Sequence, residues 1–140
     1  MKLDPTFFYN LLLRVCLLLP IFSIPSIFIG VVLSKKSASM DIFSFRAKLL
    51  RFILIVFGSS FAAYVIAMQF DDTVTRSSIS ILFTVYIPLV AYGFFANASA
   101  KRFVDMGRNR FFALLLAVPL VNFGVCYFLF NSFTTKSNEK

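Results

Sequence analysis

The sequence predicts an all-α fold, a bundle of four transmembrane helices, and three observations support this prediction. Of the 140 residues, 59% are hydrophobic and 14% are charged, whereas soluble domains carry about 25% charged residues. Four apolar runs are long enough to cross a bilayer, since a helix needs about 20 residues to cover about 30 Å of hydrocarbon. None of the runs alternates as a membrane β-barrel strand does, and helices are the other structure that satisfies backbone groups in lipid.

The order of these runs predicts a single membrane domain over residues 1–140. The predicted spans are residues 7–33, 49–68, 79–97 and 111–130. Basic loops lie at residues 34–48 and 98–110, and a polar tail follows at 131–140.

Prolines predict kinks in the first, third and fourth helices. A proline inside a helix removes a backbone donor and crowds the carbonyl four residues earlier. The prolines inside the runs are Pro20, Pro25, Pro88 and Pro119. Because the first run is long and holds two of them, a helix–break–helix that dips in from one side is the alternative to a complete first span.

Lysine and arginine are unevenly divided between the two sides of the predicted bundle. The side shared by the two basic loops has nine: Lys35, Lys36, Arg46, Lys48, Arg51, Lys101, Arg102, Arg108 and Arg110. The other side has four: Lys2, Arg76, Lys136 and Lys140. Arg14 falls inside the first run. Since such cations favour the cytoplasmic side, the count predicts cytoplasmic basic loops and both termini on the opposite side.

Small residues and one amide predict where helices pack. Gly58 and Ala62 are four residues apart in the second run, so they share a face that lets another helix approach closely. Asn122 lies deep in the fourth run, where its carboxamide needs a polar partner on another helix. The pattern identifies a packing face and a contact point without identifying the partner.

The segment before the fourth run combines basic residues with the signals of a tight turn. Gly107 is suited to end a helix, and Asn109 is suited to cap the next one. Asp105 is three residues from both Arg102 and Arg108 and can pair with either. The residues that we predict to contact anionic lipid headgroups or a protein partner are Lys101, Arg102, Asp105, Arg108 and Arg110.

The same segment resembles the signature of a family. The residues that carry the resemblance are Lys101, Arg102, Phe103, Val104, Asp105, Gly107, Arg108, Asn109, Phe111, Phe112, Leu114, Leu115 and Pro119. They resemble the YhaH-like family of small bacterial inner-membrane proteins, also called domain of unknown function 805. Val104 stands where the family has histidine, and Phe111 and Phe112 replace its paired tryptophans. The resemblance implies a multi-span protein of the bacterial inner membrane and implies no particular activity. In such a membrane the lysine and arginine count predicts periplasmic termini.

The residue types argue against catalysis. The chain has no histidine, and no clustered acids supply a catalytic base or a metal site, so we expect neither an enzyme nor a cofactor. The cations alternate with apolar runs, which favours lipid headgroups over nucleic acid as partners. The leading hypothesis is a small protein that acts through helix–helix or lipid contacts, as a membrane subunit, a regulator, or an immunity protein against a membrane-targeting toxin. The helix–helix contacts of this hypothesis include contacts between copies of the chain in a homo-oligomer. The alternative is a small transporter or channel component.

Overall fold

The computed structural model of the chain describes residues 17–34 and 40–132, together with Thr6, Tyr9, Asn10 and Leu13. This part of the chain is helical and contains no strand, which confirms the all-α class. The α-helices are α1 (Leu19–Phe22), α2 (Ile24–Leu33), α3 (Ile42–Ala67), α4 (Thr73–Ile81), α5 (Ile87–Asp105) and α6 (Val121–Asn131). A π-helical segment, Leu82–Tyr86, joins α4 to α5, and a 3₁₀ segment, Arg110–Ala117, precedes α6.

Two helical stretches are long and apolar enough to cross a membrane. One is Ile42–Ile66 within α3, and the other is the continuous stretch Thr73–Asp105. Only 22% and 28% of the residues in their most apolar windows are buried. Both stretches are longer than the second and third predicted spans. The first takes in residues 42–48 of the first predicted basic loop, and the second takes in residues 73–78 before its span and 98–105 of the second predicted basic loop.

Helix α3 begins well inside the first predicted basic loop. The Asp41 side chain accepts a hydrogen bond from the Ser44 amide at 3.2 Å, which satisfies one of the free donors of the first turn. Hydrogen bonds from Ser44 also lower the pKa of Asp41 below its usual 3.8. This cap is therefore complete above pH 3.8 and is lost as the pH falls through the lowered pKa. Arg46 and Lys48 consequently lie on helix α3, and Lys35 and Lys36 lie outside the described residues.

Helix α4 begins in the same way after the short turn that follows α3. The Asp72 carboxylate accepts hydrogen bonds from the Thr75 amide at 2.9 Å and the Thr75 hydroxyl at 2.7 Å. These bonds lower the pKa of Asp72, so this cap too is lost only when the pH falls below the usual carboxyl range. Asp72 thus has a structural role at the end of the bundle opposite the basic loops.

The π-helical segment lies immediately before Pro88. Proline cannot donate to the carbonyl four residues earlier, which here belongs to Thr84. A wider turn gives the proline ring room without ending the helix, and such π-turns are common where the regular ladder is interrupted. The Thr84 hydroxyl donates to the Ser80 carbonyl in the last turn of α4.

Helix α5 ends in the tight turn that Gly107 and Asn109 predict. Gly107 has a φ of 70°, and the amides of Gly107 and Arg108 donate to Val104 and Phe103 at 3.0 and 2.8 Å. The Asn109 side chain accepts from the Phe111 amide at 3.0 Å, so it caps the following segment. Both predictions are confirmed. The second basic loop is therefore much shorter than 98–110, because the chain stays helical to Asp105.

The fourth apolar run is a hairpin, whereas the sequence analysis predicted a single kinked span over residues 111–130. The 3₁₀ segment ends at Ala117, the chain turns at Pro119 and Leu120, where Leu120 has a φ of 67°, and α6 runs back. Eight residues of 3₁₀ helix rise about 16 Å, and the eleven residues of α6 rise about 16 Å. Each arm therefore reaches about half of the ~30 Å of a hydrocarbon layer.

Side-chain contacts show that the hairpin starts and finishes at the same end of the bundle. Arg110, at its start, donates a hydrogen bond to the Ser34 carbonyl just after α2. Near its finish, the Phe130 carbonyl accepts hydrogen bonds from Arg46 in the first turns of α3. Pro119 therefore ends a helix rather than bending one, since the residues on either side of it run in opposite directions.

Helices α2 and α5 cross in close contact at two glycines. A Cβ atom on Gly30 would overlap the Gly93 carbonyl oxygen, and one on Gly93 would lie 3.2 Å from the Ser26 carbonyl oxygen. The Asn97 side chain donates to the Gly30 carbonyl at 2.9 Å across this crossing. Gly58, in contrast, has no atom within 4 Å of an added Cβ. The close approach within the chain thus uses Gly30 and Gly93 and not the predicted Gly58 face.

These two glycine environments give the first prediction. Gly30→Ala should destabilise the fold by about 1–3 kcal/mol, because α2 and α5 must separate to admit the methyl group. Gly58→Ala makes the same change in an open part of a helix and should be neutral or stabilising by up to about 1 kcal/mol. Unfolding midpoints of the purified variants in detergent measure both effects. Equal effects of the two substitutions would contradict the observed crossing.

Candidate functional site

Three arginines bind backbone carbonyls at one end of the bundle, which we call the arginine end. These residues are Arg46 on α3, Arg102 on α5 and Arg110 at the start of the 3₁₀ segment. Each donates to a carbonyl at or beyond the carboxyl end of a helix. Such carbonyls have no partner within their own helix, and the helix dipole places partial negative charge there. The guanidinium groups therefore complete the helix ends of this bundle.

Arg102 lies at the centre of the arginine end and is completely buried. Its Nη1 atom is 2.5 Å from Asp105 Oδ2 and 3.4 Å from the Met40 carbonyl oxygen. Its Nη2 atom donates to the Ser132 carbonyl oxygen. A planar guanidinium offers five donors in a fixed fork, and here the fork connects α5 to the segment before α3 and to the residue after α6.

The ion pair resolves the choice that the sequence left open. Asp105 pairs with Arg102, one helical turn earlier, because α5 continues to Asp105. Arg108 follows the left-handed residue Gly107 and is exposed. The Nε atom of Arg102 has no hydrogen-bond partner among the described residues. The pair is a buried contact of the core, so the charge of Arg102 is balanced by the Asp105 carboxylate inside the protein.

Arg46 and Arg110 fasten the two ends of the hairpin. Arg46 donates from Nε and Nη2 to the Phe130 carbonyl oxygen at 3.2 and 3.0 Å, and its guanidinium lies 4.4 Å from the centre of the Phe130 ring. Arg110 donates to the Ser34 carbonyl oxygen and lies 5.1 Å from the centre of the Phe111 ring. Stacking on a ring adds cation–π attraction to each hydrogen bond.

The structure therefore divides the five residues predicted to contact lipid or a partner. Arg102 and Asp105 are buried and paired with each other, so they lie inside the bundle and not on its surface. Lys101 and Arg110 are half-buried, and Arg108 is exposed. Of these five residues, Arg108 and the accessible parts of Lys101 and Arg110 present positive charge at the surface.

Sequence reasoning missed the carbonyl partners of the arginines and the role of Arg46. Arg46 and Phe130 are separated by 84 positions, and Arg110 and Ser34 by 76. Backbone carbonyls carry no sequence signal, because every residue has one. The available hint was that Arg110 stands at a helix start, where the dipole disfavours a cation, so another interaction had to compensate.

Asn122 and the pair Gly58 and Ala62 are placed in different settings. Asn122 is 7% exposed, and its Oδ1 atom has no hydrogen-bond partner among the described residues. The predicted polar contact with another helix is thus absent at the Asn122 Oδ1 atom. Gly58 is exposed and Ala62 is half-buried, so their shared face is available for contact with something outside the chain.

No group of three or more histidine, cysteine or acidic side chains in the described part of the chain is arranged to hold a metal ion.

Comparison of the chain with protein-family models, curated proteins and solved structures finds no match. The resemblance to the YhaH-like family stays a prediction from the sequence.

The second prediction concerns the buried pair. Arg102→Met should lower the free energy of unfolding by about 3–5 kcal/mol, because it leaves a buried carboxylate and two carbonyls without their donor. Arg108→Met removes the same charge from an exposed position and should change stability by less than about 0.5 kcal/mol. Unfolding of both variants in detergent gives the comparison.

The double variant Arg102→Met with Asp105→Leu tests the cause. It should recover part of the loss, since it no longer buries an unpaired carboxylate. A double variant less stable than Arg102→Met would show that the ion pair is not the reason for the loss.

Proposed function

We propose that this chain is a small integral protein of the bacterial inner membrane that acts through helix–helix or lipid contacts and not through catalysis. The observation that carries the proposal is the apolar surface that the two long helical stretches expose. Of the 18 residues in the most apolar part of each stretch, only 22% and 28% are buried. A core helix of a water-soluble protein would bury most of such a window. Such a surface is unfavourable in water and favourable in the hydrocarbon of a lipid bilayer, where apolar side chains need no polar cover.

The hairpin supports a topology that differs from the one drawn from the sequence. If α3 and the stretch from Thr73 to Asp105 cross the bilayer, the fourth run enters from the arginine end and returns to it. Lys136 and Lys140 then join the nine cations on that side, and Arg76, together with Lys2 if the first run also crosses, is left on the other. The larger asymmetry supports a cytoplasmic arginine end with a cytoplasmic carboxyl terminus.

Cysteine labelling in intact cells tests this topology. Single cysteines replace Asp71, Arg108 or Lys140 in a background that carries Cys16→Ala and Cys126→Ala. A membrane-impermeant maleimide should label the cysteine at position 71 in intact cells and should label those at positions 108 and 140 only after permeabilisation. Labelling of position 140 together with position 71 would mean that the fourth run crosses the membrane and would reject the hairpin topology.

The outward face of α3 is the part of the surface that best suits a helix partner. Small side chains let two backbones approach closely in lipid, where packing drives association. The structure separates the small residues of α3 into an inner and an outer set. Ser59 and Ala63 are buried, whereas Gly58 faces outward with Ala62 beside it. A membrane subunit, a regulator or an immunity protein against a membrane-targeting toxin would each use such a face.

Crosslinking in membranes tests this contact. Gly58→Leu should weaken association of the chain with its partner or with a second copy by tenfold or more, since the larger side chain keeps the backbones apart. Gly124→Leu is the matched control, because Gly124 also has open space around an added Cβ and lies on α6. Both variants should keep the unfolding midpoint of the parent. Full association of Gly58→Leu, or equal loss in both variants, would reject this face.

A further inference from the structure

A cavity of about 210 Å³ lies between α3 and α6. Its most buried lining residues are Val56 on α3, Tyr92 on α5 and Asn122 at the start of α6. Phe52 and Phe123 add aromatic surface, and the Phe52 and Tyr92 rings meet edge to face with centroids 4.8 Å apart. The space is therefore an apolar, ring-lined cavity that is open on one side, along the α6 arm of the hairpin.

Asn122 is out of place in such a lining. It is 93% buried, and Oδ1 has no hydrogen-bond partner among the described residues. A buried acceptor without a donor costs about 1–3 kcal/mol, and native proteins keep few of them. Rotation of the carboxamide about its last torsion presents either Oδ1 or Nδ2 to the cavity, since that torsion is broad and nearly two-fold.

The size and lining of the cavity define what fits there. An apolar cavity of about 150 Å³ in another protein accommodates benzene, so 210 Å³ accommodates one substituted ring. Aromatic walls favour an aromatic guest, because rings gain from offset or edge-to-face contacts. A hydroxyl on that ring bonds to whichever atom of the carboxamide faces the cavity, because it both donates and accepts. An acyl chain fills the same space but leaves Asn122 unpaired.

We propose that this cavity is a binding site for a lipid-soluble phenol, whose hydroxyl bonds to the Asn122 carboxamide and whose ring lies among Phe52, Tyr92 and Phe123. The supply of such a ligand from the bilayer rests on the proposed membrane location. The binding itself depends on the cavity alone, so it is measured on purified full-length protein in detergent, where topology and partners have no influence.

The experiment compares p-cresol with p-xylene, which have nearly the same shape and differ in a hydroxyl for a methyl group. Affinities are measured by saturation-transfer NMR and corrected for partition into the micelles. Protection of Cys126, which lines the cavity, from N-ethylmaleimide locates the bound probe in a Cys16→Ala background. The hydrogen bond should make p-cresol bind about two- to tenfold more tightly than p-xylene, with matching protection of Cys126.

Variants separate the hydrogen bond from the cavity. Asn122→Leu should abolish the preference for p-cresol and should raise the unfolding midpoint of the empty protein, because it removes a buried unpaired amide. Asn131→Leu, the same change at the exposed end of α6, should leave the preference intact. Val56→Phe fills the cavity and should weaken both probes.

Two results would overturn the proposal. One is equal affinity of the parent protein for p-cresol and p-xylene, a result that requires no variant to fold. The other is a preference for p-cresol that survives Asn122→Leu or leaves Cys126 unprotected.

Discussion

The buried guanidinium of Arg102 is the interaction on which the arrangement of this bundle depends. It is completely buried, and it bonds to Asp105, to the Met40 carbonyl and to the Ser132 carbonyl. Moving a cation out of water costs several kcal/mol, which only good geometry and further hydrogen bonds offset. The helices that carry these partners must therefore keep their positions. Arg102 in this way fixes the end of α5 against the segment before α3 and the residue after α6.

Arg46 and Arg110 extend the same principle to the hairpin. Arg46 binds the Phe130 carbonyl at its finish, and Arg110 at its start binds the Ser34 carbonyl, so both ends lie at one end of the bundle. Its tip turns at Pro119 and Leu120. An apolar hairpin of this kind exposes no backbone polar groups along its arms, because helical segments satisfy their own. At its finish, the Phe130 and Ser132 carbonyls are bound by Arg46 and Arg102, and at its start Asn109 accepts from the Phe111 amide. The charged contacts of the hairpin thus lie at the arginine end, and its apolar contacts lie along its arms.

Inside the bundle, helices pack through glycines at one crossing and through phenylalanine rings at another. Gly30 and Gly93 bring α2 against α5, while Phe52 stacks on Phe95 with centroids 4.5 Å apart between α3 and α5. Asn122 is the exception to this tight packing, because it lines a cavity and its buried Oδ1 atom has no hydrogen-bond partner among the described residues. Residues that depart from the packing of their surroundings in this way are where function is most often found.

The sequence by itself determined the helical class, the positions of the long apolar segments and the tight turn at Gly107 and Asn109. These follow from local physics: the length of apolar runs, the left-handed backbone that glycine accepts and the capping of free amides. Tertiary structure alone decided that the fourth run folds back, that Arg102 is buried and that Gly30 packs on Gly93. Each of these depends on partners far away in the chain, and most of those partners are backbone carbonyls, which no residue type reveals.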